Sequence, residues 1–173
     1  MEARIIPTMP AQTFSIRLCN WDEARAEARR IRELVFVREQ GVSLALEMDD
    51  QDARCEHALA YAADGSTVAT GRLLPDGHIG RMAVLKQWRG QGAGALVLQA
   101  LVQQARHRGH AGARLNAQTY AAGFYRRFGF EVAGPEFIEA GIPHVPMQRD
   151  FSAGRGENEV SVEANARSAL CRN

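Results

Sequence analysis

A glycine-rich segment, Arg89-Gly-Gln-Gly-Ala-Gly94, lies between a short apolar run and a longer periodic one. Met82 to Leu85 has the composition of a buried strand, and Ala95 to Arg106 carries apolar residues at helical spacing. The first turn of a helix has backbone N–H groups without intrahelical partners, at the positive end of the helix dipole. Because glycines let such a backbone approach an anion closely, the pattern predicts a pyrophosphate-binding loop.

The spacing of these glycines excludes two common kinds of phosphate-binding loop. It is not the dinucleotide fingerprint G-x-G-x-x-G, and no Lys-Ser/Thr pair follows, as it would in a Walker P-loop. Six residues are a weak motif by themselves, and a flexible turn between a strand and a helix is the alternative interpretation.

Two motifs resemble those of the GNAT-superfamily N-acetyltransferases. Arg89, Gly92 and Gly94 match the R-x-x-G-x-G/A loop that holds acetyl-CoA, and Tyr120–Phe130 is similar to the motif A-x-x-(L/F)-Y-x-x-x-G-F. The resemblance implies that Tyr125 protonates the departing thiolate, a role that suits a phenol beside a thioester. The alternative is that Tyr125 only packs in the core.

The resemblance also implies a donor site. Many relatives have an asparagine seven residues before the tyrosine, whereas this chain has Gln118, with the same amide one methylene further out, and Asn116 nearby. Backbone groups of Met82 and Val84 are expected to pair with the pantetheine arm as a strand does. The expected donor-binding residues are Met82, Ala83, Val84, Arg89, Gly90, Gln91, Gly92, Ala93, Gly94, Ala95, Asn116, Gln118 and Tyr125.

The general base is harder to assign. Well-known relatives carry a glutamate near the start of the fourth strand, where this chain has His78. A neutral imidazole accepts a proton near pH 7, so His78 is the candidate base, and an exposed turn residue is the alternative interpretation. Glu47, Glu139 and His144 are the alternatives.

A second resemblance concerns the first half of the chain. Arg32-x-x-x-Phe36, Glu47-x-Asp49-x-x-Asp52 and Gly71-Arg-Leu-Leu-Pro75 are similar to a pattern in acyl-homoserine-lactone synthases, in which the arginines and acidic residues form an ion-pair network. Such a cluster either holds a cationic acceptor or only orders a loop. The clean glycine loop favours the acetyltransferases, among which the ElaA-like branch is most similar over about residues 14–150. The expected acceptor-binding residues are Arg32, Glu47, Asp49, Arg72 and His144.

The elements that must position these residues follow from periodicity and turn signals. Strands are predicted near residues 14–19, 57–63, 67–74, 79–85, 113–117, 130–132 and 145–149, and helices over 23–39 (capped by Asp22), 93–107 and 121–128. The order β-α-β-β-β-α-β-α-β-β indicates an α+β fold. With the resemblance, this becomes a GNAT-like fold: a central mixed, mostly antiparallel sheet with helices on both faces.

Composition sets further limits. The 173 residues suit one domain, predicted over 1–150 and followed by a flexible tail over 151–173, and the net charge of +1 gives no reason to propose nucleic acid or a membrane as partner. Three scattered cysteines and the lack of a metal-ligand cluster predict a cytoplasmic protein without a metal. We therefore expect an acetyl-CoA-dependent enzyme acting on a small-molecule or protein amine, which the family would allow to be a homodimer. A lactone-synthase-like enzyme and a non-catalytic acetyl-CoA sensor are the alternatives.

Overall fold

The computed structural model describes residues 13–152, so the predicted N-terminal arm, almost all of the predicted tail and Cys171 lie outside the described residues. The strands are β1 (Ser15–Cys19), β2 (Glu56–Tyr61), β3 (Thr67–Leu73), β4 (Ile79–Val84), β5 (Gly112–Gln118), β6 (Glu131–Val132), β7 (Phe137–Glu139) and β8 (Ile142–Asp150). The α-helices are α1 (Trp21–Arg32), α2 (Leu44–Glu47), α3 (Ala93–His107) and α4 (Ala122–Arg126).

The strands form two antiparallel sheets. One has the order β1-β2-β3-β4, and the other has the order β5-β8-β6 with β7 also paired to β8. A single parallel bridge between His78 and Arg114 connects β4 to β5. The predicted mixed, mostly antiparallel arrangement is confirmed, and the open edges of β4 and β5 face each other beyond that bridge.

Two helices cover opposite faces of the first sheet. Successive side chains of a strand point to opposite faces, so Leu59 of β2 packs with Ala24 and Ala28 of α1, whereas Ala58 and Ala60 belong to the large core that includes α3. α3 supplies Val97, Leu98, Leu101, Val102 and Ala105 to that core. The predicted bounds of α3 are confirmed at both ends.

The first helix differs from its prediction. It is capped by Asn20, whose side chain accepts from the backbone N–H of Glu23 at 3.1 Å while the Glu23 carboxylate accepts from the Asn20 N–H, a capping box two residues earlier than the predicted Asp22 cap. After Arg32 the chain continues as a π-helical segment over Glu33–Glu39, and Gln40 N–H donates to the Val35 carbonyl at 3.2 Å.

Two short elements were not predicted. The acidic connection before β2 contains α2, and β7 forms a tight hairpin with the start of β8. The predicted helix over 121–128 is shorter, since Thr119–Ala121 is a 3₁₀ turn and α4 ends at Arg126. Four- and three-residue elements carry too little periodicity to be recognised from sequence.

We expect Gly71→Ala to destabilise the fold by about 1–3 kcal/mol through overpacking. An added Cβ would lie 2.7 Å from Met82 Sδ and 2.9 Å from both Val97 Cγ1 and Leu101 Cδ1, where β3 meets α3. Gly80→Ala in β4 is the matched control, because nothing lies within 4 Å of its added Cβ. Urea unfolding of both variants measures the difference, and equal midpoints would contradict the close packing at Gly71.

Candidate active site

A cavity of about 1010 Å³ opens between the facing edges of β4 and β5. The N-terminus of α3, α4 and the β7–β8 hairpin complete its walls. It is lined by predicted site residues from every part of the chain: Glu47, Asp49, Arg72, His78, Met82, Ala83, Val84, Arg89, Gly90, Gly92, Gly94, Ala95, Asn116, Gln118, Tyr125 and His144. Gln91, Ala93 and Arg32 do not line it.

The glycine loop forms one end of this cavity. Gly92 is the N-terminal cap of α3 with φ of 100°, a left-handed backbone that favours glycine. No side chain caps α3, and the helix has fifteen residues, long enough for a full dipole. The first turn therefore presents backbone donors to an anion in the cavity.

Arg89, beside this loop, is already paired. Its guanidinium donates to the two carboxylate oxygens of Glu39 at 2.5 and 2.8 Å, and its Nε donates to the Val84 carbonyl at 3.0 Å. Hydrogen bonding to Arg89 lowers the pKa of Glu39, which keeps the carboxylate charged. A ligand anion that binds the Arg89 guanidinium must therefore displace the Glu39 carboxylate from it.

Gln118 is also already paired, with Gln40, the residue that follows Glu39 in the chain. The two side-chain amides exchange hydrogen bonds of 2.8 and 3.3 Å. Glu39 and Gln40 thus hydrogen-bond the side chains of two predicted donor-binding residues, Arg89 and Gln118. The sequence analysis missed Glu39 and Gln40, because no motif marks contacts between residues so far apart in the chain: Glu39 and Arg89 are separated by 50 positions, and Gln40 and Gln118 by 78.

The open edge of β4 forms the floor of the cavity. Leu85 N–H donates to the Val68 carbonyl at 2.9 Å, so in the alternating antiparallel ladder the backbone of Val84 points away from β3, toward the cavity. The ladder between β3 and β4 is interrupted by a bulge, since Thr70 pairs with Ala83 but Arg72 pairs with Gly80. Arg81, in the bulge, has φ of 51°.

Tyr125 lies in the cavity wall on α4. Its ring packs edge-to-face against Phe124 and Phe130, with centroids 5.0 and 6.2 Å away. Burial raises its pKa to about 12, so the phenol keeps its proton at neutral pH. A protonated phenol in a cavity wall can donate to an anion that forms there.

His78 is half-buried in the cavity rather than exposed in a turn. Burial lowers its pKa, and the nearby carboxylate of Asp76 opposes this effect. The imidazole is therefore neutral, and able to accept a proton, at neutral pH.

The β7–β8 hairpin brings two further candidates to the same wall. His144 is buried, stacks on Phe137, and has Nδ1 2.8 Å from the Ile142 carbonyl. Glu139 is more accessible, with 52% of its side chain exposed, and lies 3.9 Å from His144 Nε2. Its charge also acts on His78.

The predicted cluster of arginines and acidic residues exists as a network at the other end of the cavity. Arg32, only 1% exposed, donates to Asp52 at 2.8 and 3.0 Å, to the Glu47 carboxylate and to the Glu47 carbonyl at 2.7 Å. Arg72 donates to Asp49 and Asp52 at 2.7 Å. We name the six residues Arg32, Glu47, Asp49, Asp52, Arg72 and Arg81 the ion network.

Charges within the ion network balance. Its three arginines face its three carboxylates, so it offers no net negative charge to a cationic acceptor. Hydrogen bonding to Arg72 lowers the pKa of Asp49 to about 2. Glu47 is buried, which raises its pKa, while Arg32 and Arg81 oppose that shift. Such ion pairing makes Glu47 a poor candidate for the base.

Within residues 13–152, no group of three or more histidine, cysteine or acidic side chains has the arrangement of a metal site. Nor does that part of the chain contain a helix with the length and apolar character that a membrane crossing requires.

Comparisons with known proteins agree with this geometry. A family model described as an acetyltransferase (GNAT) domain matches residues 32–151. YjcF of Bacillus subtilis, named an uncharacterized N-acetyltransferase, is 37% identical over 132 residues, which cover 75% of this chain and 94% of YjcF.

Solved structures share the fold. Escherichia coli ElaA is 26% identical, with a TM-score of 0.70 over 80% of this chain and all of ElaA (100%). BjaI, a CoA-dependent acyl-homoserine lactone synthase, has a TM-score of 0.67 over 80% of this chain and 83% of its own, and its 16% identity supports a common fold alone. From the family match, which spans the site, this chain belongs to the GNAT acetyltransferases and is an acyltransferase.

Proposed function

We propose that the protein is an acetyl-CoA-dependent N-acetyltransferase that transfers the acetyl group to a primary amine by direct attack. One observation carries the proposal. A single cavity joins the uncapped N-terminus of α3, the open edge of β4, the protonated phenol of Tyr125 and the neutral imidazole of His78.

We assign the donor to the glycine-loop side of the cavity. Backbone N–H groups of Gln91 to Ala95 would hold the pyrophosphate, and Arg89 would exchange the Glu39 carboxylate for it. The pantetheine amides would pair with the edge of β4 at Met82 and Val84, and Gln118 or Asn116 would hydrogen-bond the arm. Opening the Gln40–Gln118 amide pair is part of this exchange.

Each chemical step then has a candidate group. The amine attacks the thioester carbonyl, whose developing negative charge a β4 backbone N–H stabilises. His78 accepts the proton that the ammonium form of the acceptor must lose. His78 passes this proton to solvent. When the carbon–sulfur bond breaks, Tyr125 donates its proton to the CoA thiolate, and the second proton, which the attacking nitrogen loses as the amide forms, restores the phenol through solvent.

Direct transfer fits the cysteines better than a covalent enzyme intermediate. Cys19 and Cys55 are free and buried, and burial raises the pKa of both thiols, which disfavours the nucleophilic thiolate. Neither lines the cavity. Free thiols also suit a reducing cytoplasm, where we place the enzyme.

One observation favours a second candidate, a lactone-synthase-like acyltransferase: the ion network occupies one end of the cavity, and BjaI shares the fold. Calorimetry with acetyl-CoA and S-adenosylmethionine as parallel ligands distinguishes the two. Micromolar binding of acetyl-CoA alone supports the N-acetyltransferase, whereas binding of S-adenosylmethionine supports the alternative. A sensor would bind acetyl-CoA but turn over no amine.

We expect Gly92→Glu to abolish measurable acetyl-CoA binding, because a carboxylate would stand where the pyrophosphate is proposed to lie. Gly92→Gln is the matched control, since it imposes the same strain at φ of 100° without the charge. Calorimetric affinity should therefore fall further in Gly92→Glu than in Gly92→Gln. Donor affinity that survives Gly92→Glu would rule out the loop assignment.

Tyr125→Phe should leave acetyl-CoA affinity nearly unchanged and reduce kcat about 100-fold or more, the usual range for a lost general acid. The phenyl ring keeps the packing against Phe124 and Phe130, so the unfolding free energy serves as the control. Steady-state kinetics and calorimetry separate the two effects. An unchanged kcat would reduce Tyr125 to a packing residue.

The pH dependence of kcat should reflect His78. Because burial lowers the pKa of His78, kcat is expected to rise with pH, with the midpoint of the rise below about pH 6.5, the ordinary pKa of histidine. Tyr125, with a pKa of about 12, adds no falling limb up to pH 10. In His78→Gln the acid limb should disappear along with most of the activity. Persistence of that limb would assign the base elsewhere, with Glu139 and His144 as the next candidates.

A further inference from the structure

The bulge in β4 contains a strained backbone that the proposed donor site does not explain. Gly71 of β3 faces both Arg81 and Met82, since the pairing shifts between Thr70 and Arg72. Such a bulge commonly places a glycine in the left-handed region, but here Arg81 has φ of 51°. A side chain there costs about 1–3 kcal/mol, so other contacts must hold this conformation.

The Arg81 side chain makes those contacts. Its Nη2 donates to the Leu46 carbonyl at 3.0 Å and to Asp49 Oδ2 at 3.2 Å. Its Nε lies 3.3 Å from both the carbonyl and the carboxylate of Glu47. One guanidinium therefore binds the last two residues of α2 and Asp49, two residues beyond its end.

The acceptors of Arg81 are themselves fixed. Glu47 is buried against Arg32, and Asp49 is held by two hydrogen bonds of 2.7 Å from Arg72. Arg72 lies in β3 beside the bulge, where it pairs with Gly80. The ion network thus forms a rigid support on which Arg81 anchors one residue of β4.

The conformation of Arg81 sets the direction of the next N–H. The peptide between Arg81 and Met82 is planar, so the φ and ψ angles of Arg81 orient the Met82 N–H. Met82 lines the cavity on the open edge of β4. In the donor site proposed above, this is where a thioester carbonyl would meet a backbone donor.

We propose that Arg81 is a positioning residue: its contacts with Leu46, Glu47 and Asp49 hold the left-handed bulge that aims the Met82 N–H at the acyl carbonyl of the donor. This inference rests on the proposed function. It gives the ion network a purpose other than acceptor binding, because the network acts on the donor through the backbone of β4.

The test compares Arg81→Ala with Arg81→Gly. Both remove the same guanidinium contacts, but only alanine keeps a side chain that strains the left-handed backbone. The readout is the affinity for acetyl-CoA relative to S-ethyl-CoA, a thioether that lacks the carbonyl, measured by calorimetry. Because one hydrogen bond is at stake, acetyl-CoA should bind wild-type protein about two- to ten-fold more tightly.

In Arg81→Ala we expect this preference to disappear and kcat to fall about ten-fold or more, while S-ethyl-CoA affinity changes little. Arg81→Gly should recover much of the acetyl-CoA preference and of kcat, although it lacks the same ion pairs as Arg81→Ala. Arg38→Ala removes an exposed arginine paired with Glu33, outside the cavity, and should keep the wild-type preference.

Two results would overturn the inference. One is an intact acetyl-CoA preference in Arg81→Ala. The other is an equal loss of preference in the alanine and glycine variants, since the backbone conformation would then not be what Arg81 supplies. If wild-type protein binds neither CoA compound, the proposed function itself fails, and this inference fails with it.

Discussion

The buried contact of Arg32 with Glu47 and Asp52 is the interaction on which the organisation of the site depends. Arg32 is the last residue of α1, and its guanidinium fixes two points of a long connection with little core of its own. Asp52 also accepts a hydrogen bond from Arg72, which connects Arg32 to β3. Removing one partner from a buried ion pair typically costs 3–5 kcal/mol, because a charge is left uncompensated. These ion pairs therefore join the connection before β2 to both α1 and β3.

The end of the first helix acts on the cavity from the other side. Beyond Arg32 the chain widens into a π-helical segment, a feature often found at functional sites. Its last residue, Glu39, hydrogen-bonds the side chain of Arg89, and the following residue, Gln40, hydrogen-bonds that of Gln118. Polar groups that await a ligand are thereby satisfied inside the protein, which avoids the cost of leaving them unpaired. A donor that uses them gains only the difference between the two sets of contacts, so backbone groups of the loop contribute more of its affinity.

Sequence alone predicts the parts of this molecule that depend on local chemistry. The bounds of α3 follow from the glycines before it and after it, and most strands follow from alternation between turn signals. The resemblance predicts that Arg32 and Arg72 pair with Glu47, Asp49 and Asp52, and these ion pairs are present. It does not predict the part of Arg81, whose partner Glu47 lies 34 residues earlier in the chain. Nothing in the sequence marks Arg81 as left-handed, because that conformation is typical of glycine and exists here only through distant contacts. The capping role of Asn20 was missed because Asp22 is an equally good cap by type, and only the position of the first turn decides between them.

These observations separate two requirements that a transferase cavity must meet. The glycine loop and the edge of β4 supply backbone donors, whose directions depend on dihedral angles rather than on side-chain identity. Tyr125 and His78 supply protons, and their proton affinities depend on burial. Backbone donors need a rigid support, which the ion network provides around β3 and β4, whereas proton-transfer groups need an environment of low polarity, which the aromatic wall around Tyr125 provides. Burial in the aromatic wall raises the pKa of Tyr125, whereas the arginines and carboxylates of the ion network neutralise one another.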